Sequence, residues 1–297
     1  MAHILGDDRT RLVQRASLLR LESAKIADAL KNGNFKSLYR GQGIEFSDVR
    51  DYLPGDNVRS IDWNVTARMG RAFIKQYEED KELQVFFILD RSLSMLSGSR
   101  GRTRLATASE ACALLLLAAE QTASATGAVF FDGKIRFALE PKAGHTQTMI
   151  LLSHLDAPEE DTSTGSVLAN ALTGAGKLLK KRSLVFIFSD FRVNRWLKPF
   201  AQLAQKHDVV AVRITDPLDS ELPRMGTVPF TDTESGVQRT FPTMSKAFSR
   251  AWFEDNRARL DRWHTECVRH GGYPLTLSTE EDVLAVLTRF FSTRRGA

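Results

Sequence analysis

The residues best suited to chemistry in this chain are hard oxygen donors. Asp90, Ser92 and Ser94 stand two apart in VFFILDRSLSM, residues 85–95. One carboxylate and two hydroxyls at that spacing, on an extended or loosely turned segment, can converge on one point and suit a small cation such as Mg²⁺. A second aspartate, Asp190, follows the apolar run SLVFIFS, residues 183–189. More hydroxyls, Thr162, Thr164 and Ser166, sit in or just after the loop APEEDTSTG. Mg²⁺ takes six oxygens and gives up its waters reluctantly. Three hydroxyls bound directly, with the two carboxylates acting partly through waters, would leave at least one position open. Neutral ligands quench little of the ion's charge, so a carboxylate on another protein fits that position.

Other chemistries fit the residues less well. A phosphotransferase using Asp90 as nucleophile typically wants a second carboxylate two residues later, where this chain has Ser92. A serine hydrolase wants a GxSxG turn with a histidine partner, and Ser92 and Ser94 lack that turn. His3, His145, His154, His207, His264 and His270 show no pairing in the sequence. A metal-dependent phosphohydrolase or nuclease using the same aspartates is the alternative reading, because a bound Mg²⁺ can activate water. The net charge of +5, from 41 basic and 36 acidic residues, includes no long basic block and makes nucleic-acid binding a weak expectation. Cys112 and Cys267 lie far apart without CxxC spacing, which implies buried reduced thiols in a cytoplasmic protein. The start, MAHILGDDRTR, does not read as a signal peptide. The longest apolar helical run, Ala111 to Ala119, falls short of the about 20 residues a bilayer needs.

The elements that must position these donors alternate between strand and helix. Val85 through Leu89 are all apolar, as in a central parallel strand covered on both faces. Leu105, Ala108, Cys112, Leu115 and Ala119 form a helical stripe after it. Two runs between Gly127 and Leu139 flank Asp132-Gly133, a hairpin signal that makes the second run antiparallel and a sheet edge. Helices are expected over about 146–155 and from Ser166 or Val167 to Leu179. Strands follow at Ser183–Ser189 and Asp208–Ile214, the latter leading to another acid, Asp216, with a short helix at 198–205 between them. Pro223, Gly226, Pro229 and Gly236 mark a small β insertion at about 218–241. A long helix over 242–270 carries Phe248, Trp252, Leu260 and Trp263. A last strand at Tyr273–Leu277 precedes a helix capped by Ser278 or Thr279, with Glu281 and Asp282 in its first turn.

The pattern predicts an α/β fold: a doubly wound, mainly parallel, Rossmann-like sheet with helices on both faces. In such a sheet the first and fourth strands are neighbours at the switch point, so Asp90 and Asp190 would face each other across one crevice. Residues 1–80 would form an N-terminal extension packed on a core of residues 81–297. It would comprise a helical arm over 10–32 and a segment over 39–75 with little helical periodicity. That segment alternates acids and arginines (Glu45, Asp48, Arg50, Asp51, Asp56, Arg59, Asp62, Arg68), as expected of internal salt bridges. Pro54-Gly55-Asp56 is a turn by its chemistry, and Phe73–Tyr77 reads as a strand.

DRSLSM resembles the DxSxS signature of the von Willebrand factor A domain, whose metal sits at a metal-ion-dependent adhesion site (MIDAS). The resemblance implies metal ligation by Asp90, Ser92 and Ser94, with Asp190 of FIFSDF as the later aspartate. Ser166 stands where that family usually has a threonine, and Thr162 and Thr164 are alternatives. The stretch EFSDVRDYLPGDNVRSIDWNVTARMGR and the later HDVVAVRITDPLDSELPRMG resemble a bacterial family called domain of unknown function 58. The likeness runs over most of the chain from about Gly33. It implies a protein-protein interaction module, not an enzyme, that serves as adaptor or assembly factor beside a MoxR-type AAA+ ATPase. The implied ion is Mg²⁺, with Mn²⁺ or Ca²⁺ as substitutes. The implied partner is that ATPase or its protein substrate.

Overall fold

The computed structural model describes residues 23–24, 26–27, 44–53, 55–79, 83–157, 165–221, 226–231 and 238–292. The chain divides into two compact units, Lys36–Glu82 and the remainder.

In the smaller unit, β1 (Ile44–Asp51) pairs antiparallel with β2 (Phe73–Glu79), with an irregularity in register between Phe46 and Asp48. Of the residues expected to form salt bridges here, Arg50 pairs with Asp56, and Asp51 pairs with Arg71, which the expectation did not name. Arg50 grips Asp56 with two nitrogens at 2.7 and 2.8 Å, and the Leu53 N–H donates to the same carboxylate at 2.9 Å. The Arg50 bond first, then the Leu53 bond, hold the Asp56 carboxyl down at about 2. A helix, α1 (Trp63–Met69), lies in the stretch whose sequence shows little helical periodicity. None of its residues is buried, so no apolar stripe advertises it. Its ends define it instead. Asp62 caps the N–H groups of Asn64 and Val65, and Gly70 ends it at φ +70°.

The larger unit is built on six strands: β3 (Gln84–Asp90), β4 (Ala125–Phe131), β5 (Ile135–Lys142), β6 (Leu184–Ser189), β7 (Asp208–Thr215) and β10 (Tyr273–Ser278). Their order is β5-β4-β3-β6-β7-β10, all parallel except β5 on the edge. The first and fourth core strands, β3 and β6, are therefore neighbours, the arrangement of a doubly wound sheet at its switch point. The central strands β3, β4, β6 and β7 are dry on both sides, whereas the edge strand β5 is largely exposed. Phe86, Ile88, Val185 and Ile187 pack with α4 (Leu168–Leu178), α5 (Leu197–Ala204) and Trp263 and Cys267 of α6 (Lys246–Arg269). On the opposite face Phe87 stacks on Phe186, which meets Phe291 of α7 (Val283–Ser292). There α2 (Arg104–Gln121) is buried well beyond the single stripe its sequence suggests, from Ala111 through Ala119. It packs against α7 and against α3 (His145–Leu155). Residues 23, 24, 26 and 27 are helical, and Gln121 donates to the Ser23 hydroxyl at 2.8 Å. The rest of the expected N-terminal arm lies outside the described residues.

The β insertion is a hairpin, β8 (Thr227–Thr231) with β9 (Gln238–Pro242). Two helix starts differ from the sequence reading. α6 begins at Lys246 with Ser245 as its cap, because Pro242 is still part of β9 and the Thr243 N–H bonds the Gly226 carbonyl. α7 is capped by Asp282, whose carboxylate accepts from Leu284 and Ala285, not by Ser278 or Thr279. The Thr279 hydroxyl is drawn away to Asp216 at 2.9 Å, and residues 279–282 form a turn before the helix. Both cysteines are free and buried. Among the described residues no helix is long and apolar enough to cross a membrane.

Candidate functional site

The crevice at the carboxyl ends of β3 and β6 gathers the predicted donors. Leu89 pairs with Phe188 in register, so each strand delivers its next residue, Asp90 and Ser189, to the same edge. Both continue the face of Ile88 and Ile187, because side chains alternate along a strand. Asp90 is fully buried. Its Oδ1 accepts the Ser92 N–H at 3.0 Å, and its Oδ2 accepts the hydroxyls of Ser189 at 2.7 Å and Ser166 at 3.3 Å. The Ser92 and Ser94 hydroxyls are 3.2 Å apart. Asp90, Ser92, Ser94 and Ser166 thus form one connected group. Thr162 and Thr164, the alternatives to Ser166, lie outside the described residues.

Asp190 is the neighbouring negative charge. Its Oδ1 accepts the Arg192 N–H at 3.0 Å, while its Oδ2 is buried without a hydrogen-bond partner. Burial pushes the Asp90 carboxyl up to about 6, and Asp190 adds to the rise. The bonds from Ser92 and Ser189 oppose it. Two carboxylates therefore share a dry crevice, and among the described residues neither makes an ion pair. Arg213 on β7 lies within the electrostatic reach of Asp190. Its guanidinium, however, sits over Trp263 and donates to the Arg259 carbonyl at 3.4 Å.

Local structure holds each donor in place. After β3 the chain turns through a 3₁₀ segment, Leu93–Leu96, anchored by buried Met95. Arg104 at the start of α2 donates to the Ser94 carbonyl at 3.4 Å and to the Ser97 hydroxyl. Its other terminal nitrogen donates to Asp219 at 2.6 Å, as does that of Arg192. Ser166 is placed by the next N–H, Val167, which bonds the Asp132 carbonyl at 2.9 Å. Asp190 is aimed by Phe191, a bulky residue held at φ +53°, where such residues rarely sit. Its ring packs against Trp196 at 5.0 Å and Trp263 at 5.5 Å, and its N–H donates to Ser189.

Ser189 joins the site without belonging to the DxSxS pattern or to the hydroxyl loop. The available signal was its parity: it stands two residues past Ile187 and so shares the face of Asp90 in the adjacent strand. The acid after β7, Asp216, does not join the crevice. It accepts from the Ser99 and Leu218 N–H groups and from Thr279, and so ties three loops together.

Among the described residues no group of three or more His, Cys, Asp or Glu side chains could hold a metal. The crevice offers a different set, two carboxylates with three serine hydroxyls. An all-oxygen set suits a hard divalent cation. The orphaned Asp190 Oδ2 and the strained charge of Asp90 are what such an ion would relieve.

A mainly parallel sheet with an oxygen-lined crevice at its switch point defines a doubly wound α/β domain. The chain belongs to the family described as protein of unknown function DUF58, whose profile matches residues 48–262. Uncharacterized proteins of Mycobacterium tuberculosis and Mycobacterium bovis are each 32% identical over 98% of this chain and 92% of their own length. Among solved structures, an aerotolerance-related membrane protein from Bacteroides fragilis superposes with a TM-score of 0.49 at 14% identity. That match covers 72% of this chain and 98% of the other. The conserved hypothetical protein BatB from Bacteroides thetaiotaomicron gives 0.46 at 14% identity, over 72% and 100%. The SpRpn10 VWA domain gives 0.38 at 12%, over 70% and 94%.

Proposed function

We propose that the β3–β6 crevice holds a divalent cation, Mg²⁺ by preference or Mn²⁺ or Ca²⁺, and that the chain is a metal-dependent protein-interaction module. Asp90, Ser92, Ser94, Ser166 and Asp190 are the residues that would hold the ion. When bound, the ion would supply an incompletely neutralised positive charge to which a partner's aspartate or glutamate can attach. The observation that carries this reading is the buried, unpartnered Asp190 Oδ2 beside the charge-strained Asp90. The favoured partner is a MoxR-type AAA+ ATPase or the protein that ATPase remodels, as the family resemblance implies. Residues 1–80 and 218–241 would tune the choice of partner.

The test is calorimetric titration with Mg²⁺ and Mn²⁺, joined to pull-down from native lysate with and without chelator. Saturable binding lost in Asp90→Ala, with a specific partner released by chelator, supports the module. Partner retention in both Asp90→Ala and chelator removes it. Metal-dependent phosphatase or nuclease turnover abolished by Asp90→Ala replaces it with a hydrolase.

A further inference from the structure

Beside the acidic crevice lies a cleft of opposite charge. It encloses about 320 Å³ between the loop after β6, Arg213 of β7 and the side of α6 that carries Trp263. Arg192, Arg213, Arg259 and Arg262 line it, with Trp196 and Trp263 between them. Arg213 stands across from Ser189 in the β6–β7 register, and Arg192 is two residues past Asp190, so cleft and crevice are contiguous.

The positive charge of this cleft is incompletely answered from within. Arg213 is only 8% exposed, yet among the described residues it makes no ion pair. Its contacts are the weak bond to the Arg259 carbonyl and the face of Trp263. Asp190 and Asp219 act on Arg213 electrostatically, but neither forms an ion pair with it, and a buried guanidinium without a paired carboxylate is costly. Trp263 is 5% exposed, and its indole N–H is also buried without a partner. Elsewhere on α6 the arginines are answered locally: Arg250 by Glu254, Arg257 by Asp261 and Arg269 by Glu266. Arg259 has Asp255 at 2.7 Å, an exposed pair that competes poorly with a bound ligand. Arg262 has no ion pair among the described residues. Glu266, the one acid lining the cleft, is engaged by Arg269 at 3.9 Å and His270 at 3.4 Å.

We infer that this cleft is a binding site for the acidic segment of a protein partner, with Arg213 and Arg262 receiving its carboxylates. This deepens the proposed function. A partner that gives one carboxylate to the crevice would place adjoining acids over the arginines, whose planar forks match carboxylates in bidentate fashion. Charge complementarity and continuity with the crevice favour a peptide segment over a free anion.

The experiment uses the full chain, in buffer stripped of divalent ions and at low salt, with a fluorescent hexaglutamate peptide as the probe. The peptide is expected to bind saturably, and Arg262→Glu to weaken it about tenfold, the scale of one lost ion pair reinforced by repulsion. Arg213→Met is expected to do the same. Arg250→Glu, on the same helix outside the cleft, leaves binding within about twofold if the site is local. Arg262 is exposed, so its variant keeps the test valid if Arg213→Met fails to fold. Equal losses in Arg250→Glu and Arg262→Glu would reduce the effect to general surface charge and overturn the inference. So would inorganic phosphate displacing the peptide at comparable concentration, which would make this a small-anion site. Mg²⁺ is then added to wild type and Asp90→Ala. A gain confined to wild type reports on the crevice, so loss of that gain overturns the metal reading while the metal-free binding still upholds the cleft.

Discussion

Asp90→Asn is expected to make the metal-free protein more stable at neutral pH while removing its response to Mg²⁺. Asp90 is fully buried, and burial with the charge of Asp190 lifts its carboxyl from the ordinary 3.8 to about 6. That rise corresponds to about 3 kcal/mol of penalty for holding the charge above pH 7. Asparagine removes the charge but presents an amide N–H₂ where the Ser189 and Ser166 hydroxyls donate. The hydroxyls can rotate to accept instead, and the rearrangement costs on the order of 1 kcal/mol. A net gain of about 1–2 kcal/mol remains. The pH dependence has a definite sign. The folded-state carboxyl sits above its unfolded value, so the folded protein binds the proton more tightly. The stability this contributes is fully present below about pH 4 and is lost as pH rises through about 6. The advantage of Asp90→Asn should therefore be small at pH 4.5 and full at pH 7.5. Urea denaturation followed by tryptophan fluorescence measures both. Adding Mg²⁺ at about 100 times its Kd should stabilise wild type by about 2.7 kcal/mol and leave the variant unmoved. A variant less stable than wild type at pH 7.5 without metal, or equal stabilisation of both by Mg²⁺, would refute the reasoning.

Ser189→Ala removes the 2.7 Å bond to Asp90 and the acceptor for the Phe191 N–H, and should cost about 1–3 kcal/mol in the same denaturation assay. Phe191→Ala strips the ring from its contacts with Trp196 and Trp263 while keeping the left-handed backbone. A loss of about 3 kcal/mol or more is expected, with weakened Mg²⁺ binding as Asp190 loses its aim. His207 is 5% exposed with neither ring nitrogen hydrogen-bonded, and burial first, then Lys206, lowers its pKa. Its neutral form favours the fold above the ordinary 6.5, and that contribution is lost as pH falls toward the lowered folded value. His207→Leu should therefore gain stability relative to wild type as the pH drops from 7.5 to 5.5, and a constant difference would count against it.

Much of the architecture was legible because burial leaves a strong imprint on sequence. The apolar runs before Asp90 and Asp190 read as strands covered on both faces and are such strands, and Asp132-Gly133 announced the antiparallel edge. The adjacency of the first and fourth strands followed from the rules of doubly wound sheets, which placed Asp90 and Asp190 at neighbouring strand ends. Signals failed where structure rests on ends and not on periodicity. The helix Trp63–Met69 buries no side chain and is set by Asp62 and Gly70. The last helix takes Asp282 as its cap because Thr279 is claimed by Asp216, a residue 63 positions away.

The amino-acid sequence alone determined which oxygens are available and which strand ends carry them, since those are matters of residue type and local pattern. Tertiary structure decided how the charges balance. Only folding sets Ser189 against Asp90, leaves one oxygen of Asp190 dry and unpartnered, and buries Arg213 without an ion pair among the described residues. These facts depend on which side chains from distant segments share one water-poor volume. Desolvation and Coulomb forces act through that space, and spacing along the chain does not record it.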